Sequence, residues 1–281
     1  MPETVNRTVT RKIGAADVTI LTDGGLSFPP DYFPGTGGDH ITDLLINAQT
    51  AEIATDFNAA LIRNGGRQIL VDAGARDLFG PSAGFLPEAL KEAGTTPGAI
   101  DLLFATHLHP DHVAGMVTAD GHAVFPNAEL CITAGEHDFW SDESKTSGAG
   151  EMVAGWGALA RTLIAAYAGR LRIIGAGDEI APGLTAVPLP GHTPGHSGWR
   201  LSSGDAQLIH AGDIVHAPAL QVADPEIAIV FDLDSNTARE TRKRLLDELA
   251  SDGALFTGGH FLHPAFHMVE RAGSGYRLVR P

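Results

Sequence analysis

The chain holds one cysteine in 281 residues, Cys131, so no intrachain disulfide forms and no thiol-rich metal site can be assembled. Cys131 sits in the apolar run Ala128-Glu129-Leu130-Cys131-Ile132, where it reads as a small buried hydrophobe on a strand. Basic residues are scarce as well, with 19 Lys and Arg against 34 Asp and Glu, for a formal charge of -15. Such a surface repels phosphate backbones and anionic lipid, which argues against nucleic-acid and membrane-surface partners. No apolar run is long enough to cross a bilayer. The polar N-terminus, residues 1–7, lacks an apolar signal core. The expected location is the cytoplasm, with a leader removed before Met1 left open. Internal repeats, low-complexity stretches and charge blocks are absent from the sequence.

What remains has the make-up of an ordinary globular protein, 43% hydrophobic and 19% charged. Short apolar strand candidates lie at Val18–Leu21, Ala59–Ile62, Gln68–Asp72, Leu102–Thr106, Leu171–Ile174, Leu184–Pro188, Gly198–Leu201, Leu208–Ala211 and Ala254–Thr257, with a final pair across Gly273-Ser274-Gly275. Helix candidates are Pro87–Ala93, Glu151–Tyr167 and Thr237–Ala250, the last with Ala238, Leu245, Leu246 and Leu249 as one buried stripe. Clustered strands with helices between the clusters give an α/β (α+β) expectation. Two mixed sheets stack in an αββα sandwich flanked by helices, in a single domain over residues 1–281. The stretch from about 24 to 50 begins rich in Gly, Pro and aromatics (Phe28, Pro29, Pro30, Tyr32, Phe33, Pro34) and reads as a long N-terminal loop.

The strongest local signal is Thr106-His107-Leu108-His109-Pro110-Asp111-His112. The apolar strand Leu102–Ala105 runs straight into it. On extended backbone, residues two apart point the same way, so His107 and His109 can converge on one ion. Pro110 ends the ladder and turns the chain, and Asp111 and His112 then project towards a second ion. Three imidazoles and a carboxylate this close together are costly to bury without a metal or partners; a solvated polar loop is the competing account. Three further ligand candidates follow apolar strands. His192 lies in the Gly/Pro loop Pro188-Leu189-Pro190-Gly191-His192-Thr193-Pro194-Gly195, which holds the imidazole rigidly. Asp213 ends Leu208-Ile209-His210-Ala211-Gly212-Asp213, well placed to bridge two cations. His260 ends Leu255-Phe256-Thr257-Gly258-Gly259-His260.

With Ile69-Leu70-Val71-Asp72-Ala73-Gly74 ahead of them, these stretches resemble the five ordered motifs of the metallo-β-lactamase superfamily along nearly the whole chain. The resemblance implies that His107, His109 and His192 hold one metal and Asp111, His112 and His260 the other, with Asp213 bridging. It also implies that Asp72 orients a histidine ligand. Within the superfamily the chain resembles the methyl parathion hydrolase and N-acyl-homoserine lactonase branch. The stretches that carry this are Asp72-Ala73-Gly74-Ala75, Leu78-Phe79-Gly80-Pro81, Phe125-Pro126-Asn127-Ala128, Asp138-Phe139-Trp140, Asp142-Glu143-Ser144-Lys145 and Gly275-Tyr276-Arg277-Leu278-Val279. His216 departs from that branch, standing where an apolar pocket residue is expected.

The implied cofactors are two divalent ions, zinc by ligand type, with manganese, iron or cobalt also fitting. Hydroxide generated between them, from water whose pKa drops from about 16 to roughly 7, attacks a carbonyl or phosphoryl centre. Asp111, beside the bridge, shuttles a proton to the leaving group. His196 is expected to support the site from behind the ligands or to be structural. His122, His137, His210, His263 and His267 read as surface or core residues. His40 lies at the polar end of the long loop. Phe79 and Trp140 resemble pocket aromatics of the branch, with core packing the competing role. Phe28, Tyr32 and Phe33 form either a lip over the metals or packing against a second subunit, since branch relatives are often homodimers.

The expected substrate is a small, largely apolar ester-type molecule, a lactone such as an acyl-homoserine lactone or a phosphotriester, because few basic residues lie near the ligands. A β-lactam fits less well with Asp213 as a bridge. The alternative is a mononuclear iron enzyme like the persulfide dioxygenases, against which the complete second ligand set argues. A non-catalytic metal-binding module ranks below both, and the acidic balance disfavours a nuclease.

Overall fold

The computed structural model describes residues 6–281; the first five residues of the polar N-terminal segment lie outside the described residues. Strands β1 (Thr8–Ile13), β2 (Ala16–Phe28), β3 (Ile53–Asn64), β4 (Arg67–Val71), β5 (Leu102–Phe104), β6 (Glu129–Thr133) and β7 (Leu171–Ile174) form one sheet in that order. The hairpins β1–β2 and β3–β4 are antiparallel, and β4 to β7 run parallel, so the sheet is mixed. The parallel strands have continuous apolar runs, Ile69–Val71, Leu102–Phe104 and Leu130–Ile132, all buried. Runs of this kind belong to strands covered on both faces, where alternation would leave polar groups in the core.

A second mixed sheet has the order β12-β11-β10-β9-β8, from β8 (Glu179–Ala181), β9 (Leu184–Pro188), β10 (Ser197–Ser203), β11 (Ala206–His210) and β12 (Phe256–Thr257). Only β11 and β12 pair in parallel; its other pairs are antiparallel. A separate hairpin, β13 (Met268–Ala272) with β14 (Gly275–Val279), closes the chain as the Gly273 turn suggests. By backbone contacts the chain divides into two compact units. One comprises the chain up to Gly24 together with Phe57–Ile174, the other Gly25–Asp56 together with Gly175–Pro281.

In the first unit the helix Glu151–Ala166 buries Val153, Gly157, Ala160 and Leu163, a stripe at helical spacing. The shorter helices Ala134–Trp140 and Glu143–Gly148 start at Thr133 and Asp142, whose side chains accept backbone N–H groups of the first turn. In the second unit the helix Ser235–Asp252 starts at Asp234, which caps Thr237 N–H, and ends at the left-handed Gly253. Its buried face carries Ala238, Leu245, Leu246 and Leu249, and also Thr241 and Arg242.

The expectation of a long loop from about 24 to 50 is corrected by the structure. β2 continues to Phe28, a short 3-10 turn covers Pro30–Tyr32, and Gly38–Asn47 is an α-helix. The helix buries only Ile41 and Leu44 and starts at Gly37-Gly38 with no side-chain cap, so its sequence carries little helical signal. The aromatics of this stretch are structural: Phe28 and Phe33 join Ile41, Leu44, Ile53, Leu220, Ile227 and Ile229 in one buried cluster, with Tyr32 packed against it.

Cys131 lies in β6 and is fully buried, and burial pushes its thiol up to about 12. The thiolate is disfavoured only in the folded state. Its contribution to stability is therefore complete below the unfolded value of about 8.5 and is lost as pH rises towards 12. The native protein at pH 8 is expected to leave a thiol reagent unreacted and to consume one equivalent once denatured. Rapid reaction of the native protein would contradict this burial.

Candidate metal centre

In the first unit the ligand candidates lie beyond the end of β5. His107 and His109 follow on extended backbone, and Pro110 opens the short helix Pro110–Val113, where its missing N–H costs nothing. The rings of His107 and His109 lie 4.6 Å apart, those of His107 and His112 4.2 Å. Behind them is Asp72, in the left-handed region at φ 58°, a strained conformation that non-glycine residues adopt where surroundings dictate it. Its carboxylate accepts Thr106 N–H (2.9 Å), the Thr106 hydroxyl (2.9 Å) and Nδ1–H of His112 (2.9 Å). The Thr106 oxygen in turn lies 3.1 Å from His107 Nδ1. Both imidazoles are thereby held by Nδ1, which leaves Nε2 as the lone pair each ring can offer a cation. Burial raises the Asp72 carboxyl above its usual value, against the opposing pull of His112.

Backbone contact fixes this arrangement. Ala73 N–H donates to the His112 carbonyl (2.7 Å) and Gly115 N–H to the Gly74 carbonyl (3.0 Å). A Cβ on Gly115 would stand 1.8 Å from the Ala73 carbonyl oxygen, so only glycine permits the approach. Two residues not anticipated from sequence brace His109. Glu136, fully buried, accepts N–H of Leu108, the residue between the two histidines (2.9 Å), and the Trp140 indole N–H (2.7 Å). The rings of Trp140 and Trp156 pack on His109 at 5.5 and 4.5 Å. Of the two roles open to Trp140 from sequence, pocket lining and core packing, its 0% exposure fits the second, with the ring behind a histidine.

The second unit supplies His192, Asp213 and His260, all buried. His260 donates Nδ1–H to the Asp56 carbonyl (2.9 Å), and His192 donates Nδ1–H to Asp232 Oδ1 (3.0 Å). Nε2 of His260 is within hydrogen-bond distance of Asp213 Oδ2 (2.8 Å), and Nε2 of His192 stands 3.8 Å from it. Without a cation the His260 contact takes a proton on Nε2; a divalent cation would replace that proton and draw the imidazole lone pairs and the carboxylate together. Neutral imidazoles with carboxylates are donors that suit zinc, and the set fits it. His196 donates Nδ1–H to the Leu189 carbonyl (2.6 Å) and receives Asp213 N–H on Nε2 (2.8 Å). Both of its nitrogens are committed, so His196 holds the Asp213 backbone. His216 is buried with Nε2 3.3 Å from Asp213 Oδ2, stacked on His260 at 4.8 Å.

The first unit thus holds the ligand candidates His107, His109, Asp111 and His112, and the second His192, Asp213 and His260. Asp111 is the most open of these, its side chain 18% exposed and 3.5 Å from His112 Nε2. The other expected residues are placed elsewhere. Phe79 is 40% exposed and stacks on Phe57 at 5.1 Å. Phe28 belongs to the core cluster described above. His40 bonds Asp224 at 2.8 Å, and His210 stacks on Trp199 and accepts Gly212 N–H. Asp232, 40 residues from the imidazole it holds, was missed. Burial drives its carboxyl up to about 7 despite the opposing charge of Arg242. Arg242, not singled out from sequence, is buried, and burial lowers it to about 10.

A buried His/Asp cluster of this composition is that of a metal-dependent hydrolase. The metallo-beta-lactamase superfamily model matches residues 57–260, and the chain belongs to that superfamily, with its fold of two mixed sheets and flanking helices. The chain is similar to AbOPH, a hydrolase in the beta lactamase superfamily, at 30% identity and a TM-score of 0.92, over 99% of this chain and 98% of that one. It is similar to AidC, a dizinc quorum-quenching lactonase solved with the product N-hexanoyl-L-homoserine, at 26% identity and a TM-score of 0.89, over 98% and 97%. Likeness to a quorum-quenching N-acyl homoserine lactone lactonase at 17% identity, TM-score 0.63, over 92% and 100%, is one of fold alone. The comparison with curated proteins gives no match. Among the described residues no helix is long and apolar enough to cross a membrane.

Replacing Asp72 by Ala removes the acceptor of His112 and is expected to weaken cation binding by about 10–100-fold, as read by chelator competition. Unaltered affinity would mean that His112 is oriented by something other than this carboxylate.

Proposed function

We propose that the chain is a dinuclear hydrolase of a small, largely apolar, uncharged ester-type substrate, a lactone such as an acyl-homoserine lactone or a phosphotriester. The observation that carries this is the donor set each unit holds, His107, His109, Asp111 and His112 in the first and the buried His192, Asp213 and His260 in the second. In this reading His107, His109 and His192 hold one ion, Asp111, His112 and His260 the other, and Asp213 is shared. The buried Asp213 carboxylate, with His260 Nε2 at 2.8 Å and His192 Nε2 at 3.8 Å from Oδ2, supports the shared role. When bound, two divalent cations acidify water and polarise a carbonyl or phosphoryl oxygen. Asp111, partly open to solvent, passes a proton to the leaving group. His216, against Asp213, borders the reacting position. Phe79, exposed beside Phe57, is an apolar wall.

The four ligand-bearing stretches, residues 106–112, 187–196, 208–213 and 255–260, hold no Lys or Arg, which favours an uncharged substrate over an anion that would need a basic clamp. The family match runs through both compact units, which supports reading the chain as one metallo-β-lactamase-like domain.

Metal quantification followed by a panel of lactones, esters and phosphotriesters tests the proposal. The expected outcome is two divalent ions per chain with lactone or phosphotriester turnover. A single iron per chain with thiol oxidation would establish the oxidoreductase alternative, and two bound ions without turnover anywhere on the panel would leave a binding module. Asp213→Ala is expected to lose one or both ions, and more activity than the about 10–100-fold typical of an outer support. His267→Ala, at a ring packed against Phe261, is expected to retain both. Full metal content in Asp213→Ala would sink the shared-ligand assignment.

A further inference from the structure

His192 is the one expected ligand whose supporting carboxylate belongs to no motif singled out above. Asp232 Oδ1 takes its Nδ1–H at 3.0 Å, and neither side chain has any exposure. Behind Asp232 stands Arg242, on the buried face of the helix Ser235–Asp252, with Nη2 3.8 Å from Asp232 Oδ2. Its other donors are fixed: Nη1 to the carbonyls of Pro225 (2.9 Å) and Ile227 (2.7 Å), Nε to the carbonyl of Ile214 (2.5 Å). Ile214 directly follows Asp213, so one guanidinium is bonded to the segment of the shared carboxylate and paired with the partner of His192.

The loop of His192 is held to the start of the same helix. Leu233 N–H donates to the His192 carbonyl (3.0 Å), Asp234 N–H to the Gly191 carbonyl (2.9 Å), and the Thr241 hydroxyl to the Pro190 carbonyl (2.8 Å). Gly191, at φ 123°, comes so close that a Cβ there would stand 2.2 Å from Ala238 N. Burying a carboxylate and a guanidinium is expensive, and an apolar pair of similar volume often serves stability as well or better. Stability alone therefore gives this pair no advantage. Orientation of an imidazole by an anion does, because the acceptor selects the tautomer and the ring plane.

We propose that Asp232 and Arg242 are positioning residues, which hold His192 in the Nδ1–H tautomer with Nε2 turned towards Asp213 and tie the Asp213 segment to the same support. The role in metal binding rests on the dinuclear reading, whereas the tautomer does not. The test is therefore made on both forms of the full chain.

In the metal-free protein, nitrogen NMR of the imidazoles should show His192 as the Nδ1–H tautomer. The double variant Asp232→Leu with Arg242→Met, which removes both charges together, should lose that tautomer while its melting temperature stays near that of the parent. In the zinc-loaded protein the same variant should bind one of the two ions about 10–100-fold more weakly. The single Asp232→Leu, which leaves the guanidinium buried without its carboxylate, should also melt lower. An unchanged His192 tautomer in either variant overturns the proposal, and so does wild-type affinity for both ions in the double variant. Should the double variant fail to fold, the single Asp232→Leu, which removes the acceptor, decides by the same ring spectrum and zinc titration. A parent protein that binds no pair of ions yet shows the Nδ1–H tautomer, lost in the variant, would overturn the dinuclear reading and leave the positioning of His192 standing.

Discussion

The buried carboxylate of Asp213, faced by imidazole nitrogens, sets the terms for the rest of the centre. In water a carboxylate and neutral imidazoles are indifferent to one another. Removed from water, with Nδ1 held by Asp56 and Asp232, His260 and His192 turn Nε2 towards an anion. That arrangement has an energy minimum only around positive charge. The His196 ring, which accepts Asp213 N–H, and the close packing at Gly212, where a Cβ would stand 2.4 Å from His196 Nε2, keep the carboxylate from relaxing away.

From that requirement follows the way the histidines are supported. His112 is held by Asp72, His107 through Thr106 by the same carboxylate, His192 by Asp232 and His260 by the Asp56 carbonyl. In each case an acceptor takes Nδ1–H and commits Nε2 to the cation. His109 is braced differently, by two indole faces and by Glu136 on the preceding peptide. Acceptors behind ligands fix direction, since an imidazole free to rotate or to change tautomer would cost affinity each time it returned. Asp232 and Arg242 extend this logic one layer further, at the price of two buried charges.

What could be read in the sequence tracks the range over which each signal acts. The parallel strands were legible because burial on both faces writes a continuous apolar run, as in Leu102–Phe104. The ligand stretches were legible because His107, His109, Asp111 and His112 sit within six residues, and because Gly and Pro flank His192. The helix Gly38–Asn47 was not, since two buried apolar residues after a glycine pair carry almost no period. Glu136, Asp232 and Arg242 were invisible for another reason. Each lies in a stretch that reads as an ordinary helix or loop, and its role exists only once residues 28, 40 and 28 positions away are brought beside it. Trp140 shows the converse: an aromatic in a suggestive stretch looks the same whether it faces a pocket or a ligand's back.

The distances along the chain have a thermodynamic consequence. The acceptor for His112 lies 40 residues before it, that for His192 40 residues after, and that for His260 204 residues before. An unfolded chain can bring few of these together, so ligands in the correct tautomer and at the correct spacing exist almost only in the folded state. Cations that bind such a state stabilise it by mass action, and their affinity is reduced by whatever fraction of molecules is locally open. The buried carboxylates then have opposite effects before and after loading. Asp72 in the first unit and Asp213 and Asp232 in the second burden the metal-free protein with buried charge, a cost that bound cations would offset. On the dinuclear reading, folding and metal binding would be linked equilibria, coupled through the residues that hold Nδ1.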